Sequence, residues 1–220
     1  MVLNELVAKS KLPAMIKLIP NILTLGRGVL TLAFLAIVLY SPRSPDKKVL
    51  LDAGFVLFVI AGLTDVIDGA VARKLNVTSK FGRMIDPLVD KVLVCGAFIS
   101  FAIVGEPRLF SLSAVQLAIV HWSVAAILVG REAYVTTLRH IAEARGVNFA
   151  ATPSGKIKMF LQSFAIGTVV IKMAHVPTAA WGHWFTTVTF VAMLAATIYS
   201  GLVATRRESW RQARNQGNLI

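Results

Sequence analysis

The sequence predicts an all-α polytopic membrane protein with six transmembrane helices. Three observations point there. Of 220 residues, 56% are hydrophobic and 15% are charged, where a soluble domain carries about a quarter charged residues. The apolar residues fall in six blocks, at 22–40, 49–71, 84–104, 114–136, 155–175 and 184–204, each near the ~20 residues that cross a bilayer as helix. The basic residues are unevenly placed. Alternate connections hold only Arg43, Lys47, Lys48, Arg108 and Lys172, which leaves 18 of the 23 Lys and Arg at or near the other face. The positive-inside rule then places both termini in the cytosol, in the orientation of a cytoplasmic (inner) membrane protein.

The net charge of +12 follows from that asymmetry. It serves orientation and attraction to anionic headgroups; no basic segment interleaved with aromatics suggests a nucleic-acid partner. The single cysteine, Cys95, excludes an internal disulfide framework and sits in an apolar helix as a packing residue. No linker, low-complexity tract or repeat divides the chain, so residues 1–220 read as one integral membrane domain.

Taken in order, residues 1–20 read as an amphipathic lead-in, with Leu6, Ala8, Leu12, Met15 and Ile16 on the bilayer interface and Lys9, Lys11 and Lys17 among headgroups. Pro20-Asn21 is expected to open the first span, with Asn21 as its cap. Arg27, inside that span, either snorkels to the interface or meets an anionic partner. Ser41 to Pro45 forms a turn, and the second span closes in an acidic motif. A polar loop from Lys74 to Phe81 leads to the third span, with Gly82 breaking the loop and Pro87 in the first helical turn. The fourth span ends at Arg131-Glu132, and a polar loop from about 139 to 155 follows. Pro153-Ser154-Gly155 starts the fifth span. Trp181 and Trp184 suit an aromatic belt at one interface and Trp210 the other. His121, His140, His175 and His183 receive no functional role. The tail 205–220, with Arg206, Arg207, Arg211 and Arg214, reads as an exposed basic end.

The chain has eleven acidic residues, and four of them, Asp65, Asp68, Asp86 and Asp90, meet at the ends of spans two and three. Spacings of three and four residues put each pair on one helix face. A carboxylate at the bilayer centre costs about 2.5–3.5 kcal/mol on insertion scales. Two charges about 6 Å apart repel by roughly 3 kcal/mol at an effective dielectric of 20. Arg73, Arg83 and Lys91 are too few to reach every oxygen, so a pair of divalent ions is the economical solution, and hard oxygen donors favour Mg²⁺ or Mn²⁺. Gly69 clears space for a ligand against the helix, Ala72 is small on the same face, and Arg73 offers a planar fork to phosphate oxygens. Two other readings remain: a salt-bridge network joining two helices, and a divalent-cation transporter, against which stand the clustering at one membrane face and the lack of an inverted repeat.

Asp65, Asp68, Gly69, Ala72, Arg73, Gly82, Asp86 and Asp90 together match D-x2-D-G-x2-A-R-x8-G-x3-D-x3-D, and on them the chain resembles the CDP-alcohol phosphotransferases. Ile19 to Arg27, Phe81 to Lys91, Arg131 to Arg139 and Gly155 to Lys158 further resemble the bacterial members that transfer a phosphatidyl group from CDP-diacylglycerol to glycerol 3-phosphate, releasing CMP, in phospholipid biosynthesis. The resemblance spans about residues 18–204. It implies a six-helix fold, a homodimer and a polar cavity open to the cytosol. It implies two metal ions on Asp65, Asp68, Asp86 and Asp90, with Asp90 also the general base. Asn21, Thr24, Gly69, Arg73 and Ser79 would contact the CDP part of the donor. For the acceptor's phosphate, Arg131, Arg139, Lys156 and Lys158 lie at the right membrane height, with Arg27 a weaker candidate. Other acceptor alcohols (inositol phosphate, serine or phosphatidylglycerol) fit the same chemistry.

Overall fold

The computed structural model describes residues 14–75, 80–144 and 153–206, with side chains over 22–64, 85–144 and 154–206. Six long helices make up almost all of it: α1 (Ala14–Tyr40), α2 (Lys47–Leu75), α3 (Lys80–Val104), α4 (Ala114–Ala144), α5 (Pro153–His175) and α6 (Ala180–Thr205), with a 3₁₀ turn at Ser41–Arg43 after α1. Among the described residues, five stretches are long and apolar enough to cross a membrane: Ile22–Arg43, Ile85–Val104, Ala114–Ala144, Ser154–His175 and Ala180–Thr205. The remaining helix, α2, has 29 residues and packs in the same bundle. The chain is therefore a multi-pass helical membrane protein.

The helices close a ring. α1 packs on α2 and α3, α2 on α5, α5 on α6, α6 on α4 and α4 on α3, while α3 and α5 also touch across the middle. α1 shows why the sequence folds this way in lipid. Ile22, Leu25, Val29 and Leu32 form an outward stripe at helical spacing, while Thr24, Arg27, Thr31, Phe34 and Val38 are buried on the opposite face. The outside is apolar because it meets lipid tails, and polar groups lie inward, where Thr24 and Arg27 find partners. Toward the α1 C-terminus the interior turns apolar. Phe34 meets Phe58 at 5.4 Å between ring centroids, and Phe98 packs edge-on against Phe101 and Phe190, each at 5.9 Å. With no hydrophobic force between helices in lipid, close packing carries the association. Gly54 and Gly96 permit it: a methyl group on either would come within 2.9 Å of Ile37 Cγ2 or 2.7 Å of Leu35 Cδ1, both on α1.

Three sequence expectations about helix ends are corrected. α1 begins at Ala14 and runs through Pro20 and Asn21, so Asn21 is an interior helix position and not a cap; the helix gives up one intrahelical hydrogen bond at Pro20 and continues. α3 begins at Lys80, so Gly82 is helical and Pro87 lies in the third turn, inside the helix. α4 extends to Ala144, past the expected loop start at 139, because Leu138, Arg139, Ala142, Glu143 and Ala144 are good helix formers. Pro153 does open α5, at the first-turn position where its missing N–H costs nothing.

A cavity of about 400 Å³ lies between α2, α5 and α6, lined by Phe55, Phe58, Phe164, Ile171, Trp181 and Phe185 among others. It is almost wholly apolar and sits toward the C-terminal end of α5.

Candidate active site

Asp86 and Asp90 stand one turn apart on α3 and face Thr24 and Arg27, one turn apart on α1. Thr24 Oγ1 donates to Asp86 Oδ1 at 2.7 Å. Arg27 Nη2 donates to the Asp86 main-chain oxygen at 3.1 Å and lies 3.4 Å from Asp86 Oδ1, while its Nη1 lies 3.4 Å from Asp90 Oδ1. The Arg27 side chain is 2% exposed, against 44% for Asp86 and 35% for Asp90. The guanidinium is a buried floor with two carboxylates opening away from it. The snorkelling alternative for Arg27 is thus overturned: the side chain turns inward because two anions there repay its desolvation better than the interface would.

One guanidinium carries one positive charge, and it is shared by two carboxylates. Among the described residues no second cation contacts the pair, and neither Oδ2 has a protein donor there. Carboxylate oxygens in a half-exposed site are the donor chemistry that Mg²⁺ or Mn²⁺ takes. Among the described residues no three His, Cys, Asp or Glu side chains form a metal-sized group. The side chains of Asp65 and Asp68, the other two carboxylates of the predicted site, lie outside the described residues. The donor set present therefore fits a divalent ion. The salt-bridge reading is partly realised by Arg27.

A second polar cluster lies across the ring. Glu132 of α4 accepts from Arg131 Nη1 at 3.1 Å and from Lys158 Nζ of α5 through the same oxygen, Oε1. Arg131 Nη2 donates to Ser200 Oγ of α6 at 2.9 Å. Lys158 is buried, 5% exposed. α4 and α5, which carry this cluster, both touch α3, the helix of Asp86 and Asp90.

The predicted site residues divide accordingly. Thr24, Asp86 and Asp90 come together with Arg27. Arg131 and Lys158 come together with Glu132. Arg139 and Lys156 are exposed, with no ion pair among the described residues. Asp65, Asp68, Gly69 and Arg73 fall on the C-terminal part of α2, where side chains lie outside the described residues, as does that of Asn21; Ser79 lies outside them altogether. Sequence reasoning missed two things. It left Glu132 without a role, although an acid in an apolar block beside an Arg was a visible signal. It also could not pair Arg27 with Asp86, because the two are 59 residues apart.

Comparison with known proteins decides what this site belongs to. Residues 17–202 match the family described as CDP-alcohol phosphatidyltransferase. The chain belongs to the CDP-alcohol phosphatidyltransferase family. The match covers all six helices. The chain is 35% identical over 161 residues to the CDP-diacylglycerol–glycerol-3-phosphate 3-phosphatidyltransferase of Bacillus subtilis, covering 70% of this chain and 76% of that protein. It is 30% identical over 182 residues to a probable phosphatidylglycerophosphate synthase of Mycobacterium tuberculosis, covering 83% and 77%. It is 28% identical over 155 residues to a protein of Rickettsia typhi that carries the same name as the Bacillus one, covering 70% and 77%. Membership in a family of phosphatidyltransferases sets the transporter reading aside.

Proposed function

We propose that the protein transfers the phosphatidyl group of CDP-diacylglycerol to sn-glycerol 3-phosphate, giving phosphatidylglycerophosphate and CMP. The observation that carries this reading is the pairing of two sites of opposite character in one interior. One is a carboxylate pair left negative by its single guanidinium. The other is a buried Lys–Arg pair with one carboxylate between two cations, net positive and suited to an anionic alcohol. The names of the three relatives support the same acceptor.

Asp65, Asp68, Asp86 and Asp90 would hold two Mg²⁺ or Mn²⁺ ions, which when bound neutralise the donor's diphosphate and ease the departure of CMP. Thr24 and Arg27 orient Asp86 and Asp90 from below. Asn21, Thr24, Gly69, Arg73 and Ser79 are proposed to meet the CDP part of the donor. Asp90 takes the proton from the acceptor hydroxyl. The acceptor oxygen then forms its bond to the phosphorus that carries diacylglycerol, and the bond from that phosphorus to the CMP oxygen breaks. Arg131 and Lys158 hold the acceptor's phosphate so that its hydroxyl faces Asp90, which converts an encounter into a positioned attack. Arg139 and Lys156 stand at the mouth of the site, where exposed cations draw in an anion without gripping it. The enzyme is proposed to sit in the cytoplasmic membrane as a homodimer, with this end of the bundle facing the cytosol.

The test is CMP release from labelled CDP-diacylglycerol by purified protein, with and without Mg²⁺ or Mn²⁺, across a panel of alcohols. Metal-dependent release with glycerol 3-phosphate is the expected result. Release only with inositol phosphate, serine or phosphatidylglycerol overturns the acceptor; release undiminished by chelator overturns the metal role.

A further inference from the structure

Glu132 has no part in the chemistry above, yet the acceptor pocket is assembled on it. Lys158 Nζ and Arg131 Nη1 both donate to one oxygen, Glu132 Oε1. The other tip of the Arg131 fork donates to Ser200 Oγ at 2.9 Å, and the Ser200 hydroxyl is itself fixed by donating to the Thr197 main-chain oxygen at 3.0 Å. The guanidinium plane is thus pinned at both tips, and the flexible Lys158 stem is tied down by one anchor. An ammonium has three donors and a guanidinium five; these contacts use one from Lys158 and two from Arg131. The Arg131 Nε–H is buried with no hydrogen-bond partner among the described residues. A native interior seldom tolerates such a donor unless a ligand or water completes it.

We propose that Glu132 is a positioning residue, holding the Lys158 ammonium and the Arg131 guanidinium as one preformed pair that receives the phosphate monoester of the acceptor. This rests on the acceptor reading given above. Without the carboxylate the two cations, drawn within reach of a single oxygen, would repel and separate. The incoming phosphate would then have to gather them itself and lose binding energy to that ordering. With it, the pair keeps one net positive charge, enough to attract a dianion and far less costly to bury than two bare cations. Three helices, α4, α5 and α6, meet in this cluster.

The test uses full-length purified protein with acceptor and donor KM measured separately. Glu132→Ala raises the KM for glycerol 3-phosphate about tenfold or more, the worth of a charged hydrogen bond, and leaves the donor KM within about twofold. Glu132→Gln keeps an accepting oxygen at the same reach and recovers part of the loss, leaving a rise of roughly threefold confined to the acceptor. In a Lys158→Met background, adding Glu132→Gln raises the acceptor KM by less than it does in the wild type, because its main client is already gone. Equal rises in both KM values, a fall in the acceptor KM, or multiplicative effects in the double variant overturn the proposal. Should Glu132→Ala not give folded protein, Glu132→Gln and its combination with Lys158→Met decide: an unchanged acceptor KM in Glu132→Gln overturns it. Wild-type protein that releases no CMP with glycerol 3-phosphate takes down the acceptor reading and this inference together. Active wild type with unselective Glu132 variants takes down this inference alone.

Discussion

The two ends of the helix ring handle charge in opposite ways. At the end away from Asp90, charged and polar groups meet opposite or neutral partners, some half exposed and others, such as Lys172 and His121, buried. Lys47 pairs with Glu106 at 3.3 Å, Asp52 meets His175 at 2.6 Å, and Lys172 donates to the main-chain oxygens of Val176 and Pro177. His121 contacts the Pro107 oxygen at 3.1 Å, and His183 contacts the main chain of Arg108 and Phe110. These contacts tie the turns together, although His121 Nδ1 is buried without a hydrogen-bond partner among the described residues. At the Asp90 end the partners do not balance. One guanidinium serves two carboxylates, and one carboxylate serves two cations. Matched pairs finish a structure. Unmatched charge held in place by buried neighbours is what a substrate or a metal ion completes.

The largest expected effect tests that contrast at its centre. Asp90→Asn preserves shape and removes the proton acceptor, so turnover falls by about 10²–10⁴-fold, the usual worth of a positioned base, while donor binding persists. CMP release under saturating substrates, with donor affinity measured separately, checks this; near-normal turnover would remove Asp90 as the base.

Arg27→Met comes next. It leaves two carboxylates facing a dry floor, and breaking a buried ion pair costs about 3 kcal/mol at the lower end of the usual range, appropriate to half-exposed acids. Denaturation in detergent reads it. Arg27→Lys restores only part, since an ammonium cannot reach both carboxylates as a fork does. A stability change as small as a surface pair gives would mean that the floor is not buried.

Thr24→Val removes the 2.7 Å hydrogen bond to Asp86 at nearly constant volume. A hydrogen bond to a charged group is worth about 1.5–3 kcal/mol, so kcat/KM drops roughly tenfold or somewhat more, with little change in Tm.

Exposed cations mark the boundary of the active region. Arg139→Ala and Lys156→Ala raise the acceptor KM by only about two- to threefold, less than Lys158→Met, because solvent screens them. Equality with Lys158→Met would place them inside the pocket.

The smallest effect belongs to the far end. Lys47→Met shifts stability by about 0.2–1 kcal/mol, the worth of a partly exposed pair, and leaves both KM values unchanged in a steady-state assay. A selective effect on either KM would break the contrast between the two ends.

Much of this was legible in the sequence. The apolar blocks mark the helices because a bilayer demands about twenty apolar residues per crossing, and observed bounds differ mainly at ends, where Pro20 and Gly82 were read as lying before the helices and the helices run through them. Interior prolines and glycines are more easily carried in a membrane bundle, where helix neighbours and the lack of competing water hold the backbone helical. Asp86 and Asp90 were legible as a pair because four residues make one helical turn. Lys158 was legible only as one cation among several at the same height; nothing in its neighbours along the chain separates it from Lys156, two residues away, yet one is buried and the other exposed.

The sequence by itself determined the class, the count of long helices and the family, since hydropathy, charge asymmetry and the spacing of aspartates are all local properties. Only the tertiary structure decided which cation meets which anion. Arg27 reaches Asp86 across 59 positions, Lys158 reaches Glu132 across 26 and Arg131 reaches Ser200 across 69. Those pairings depend on the rotation of each helix about its own axis and on the order in which the ring closes, and both are set by packing such as Gly54 against Ile37 and Gly96 against Leu35, which no periodicity along a single helix records.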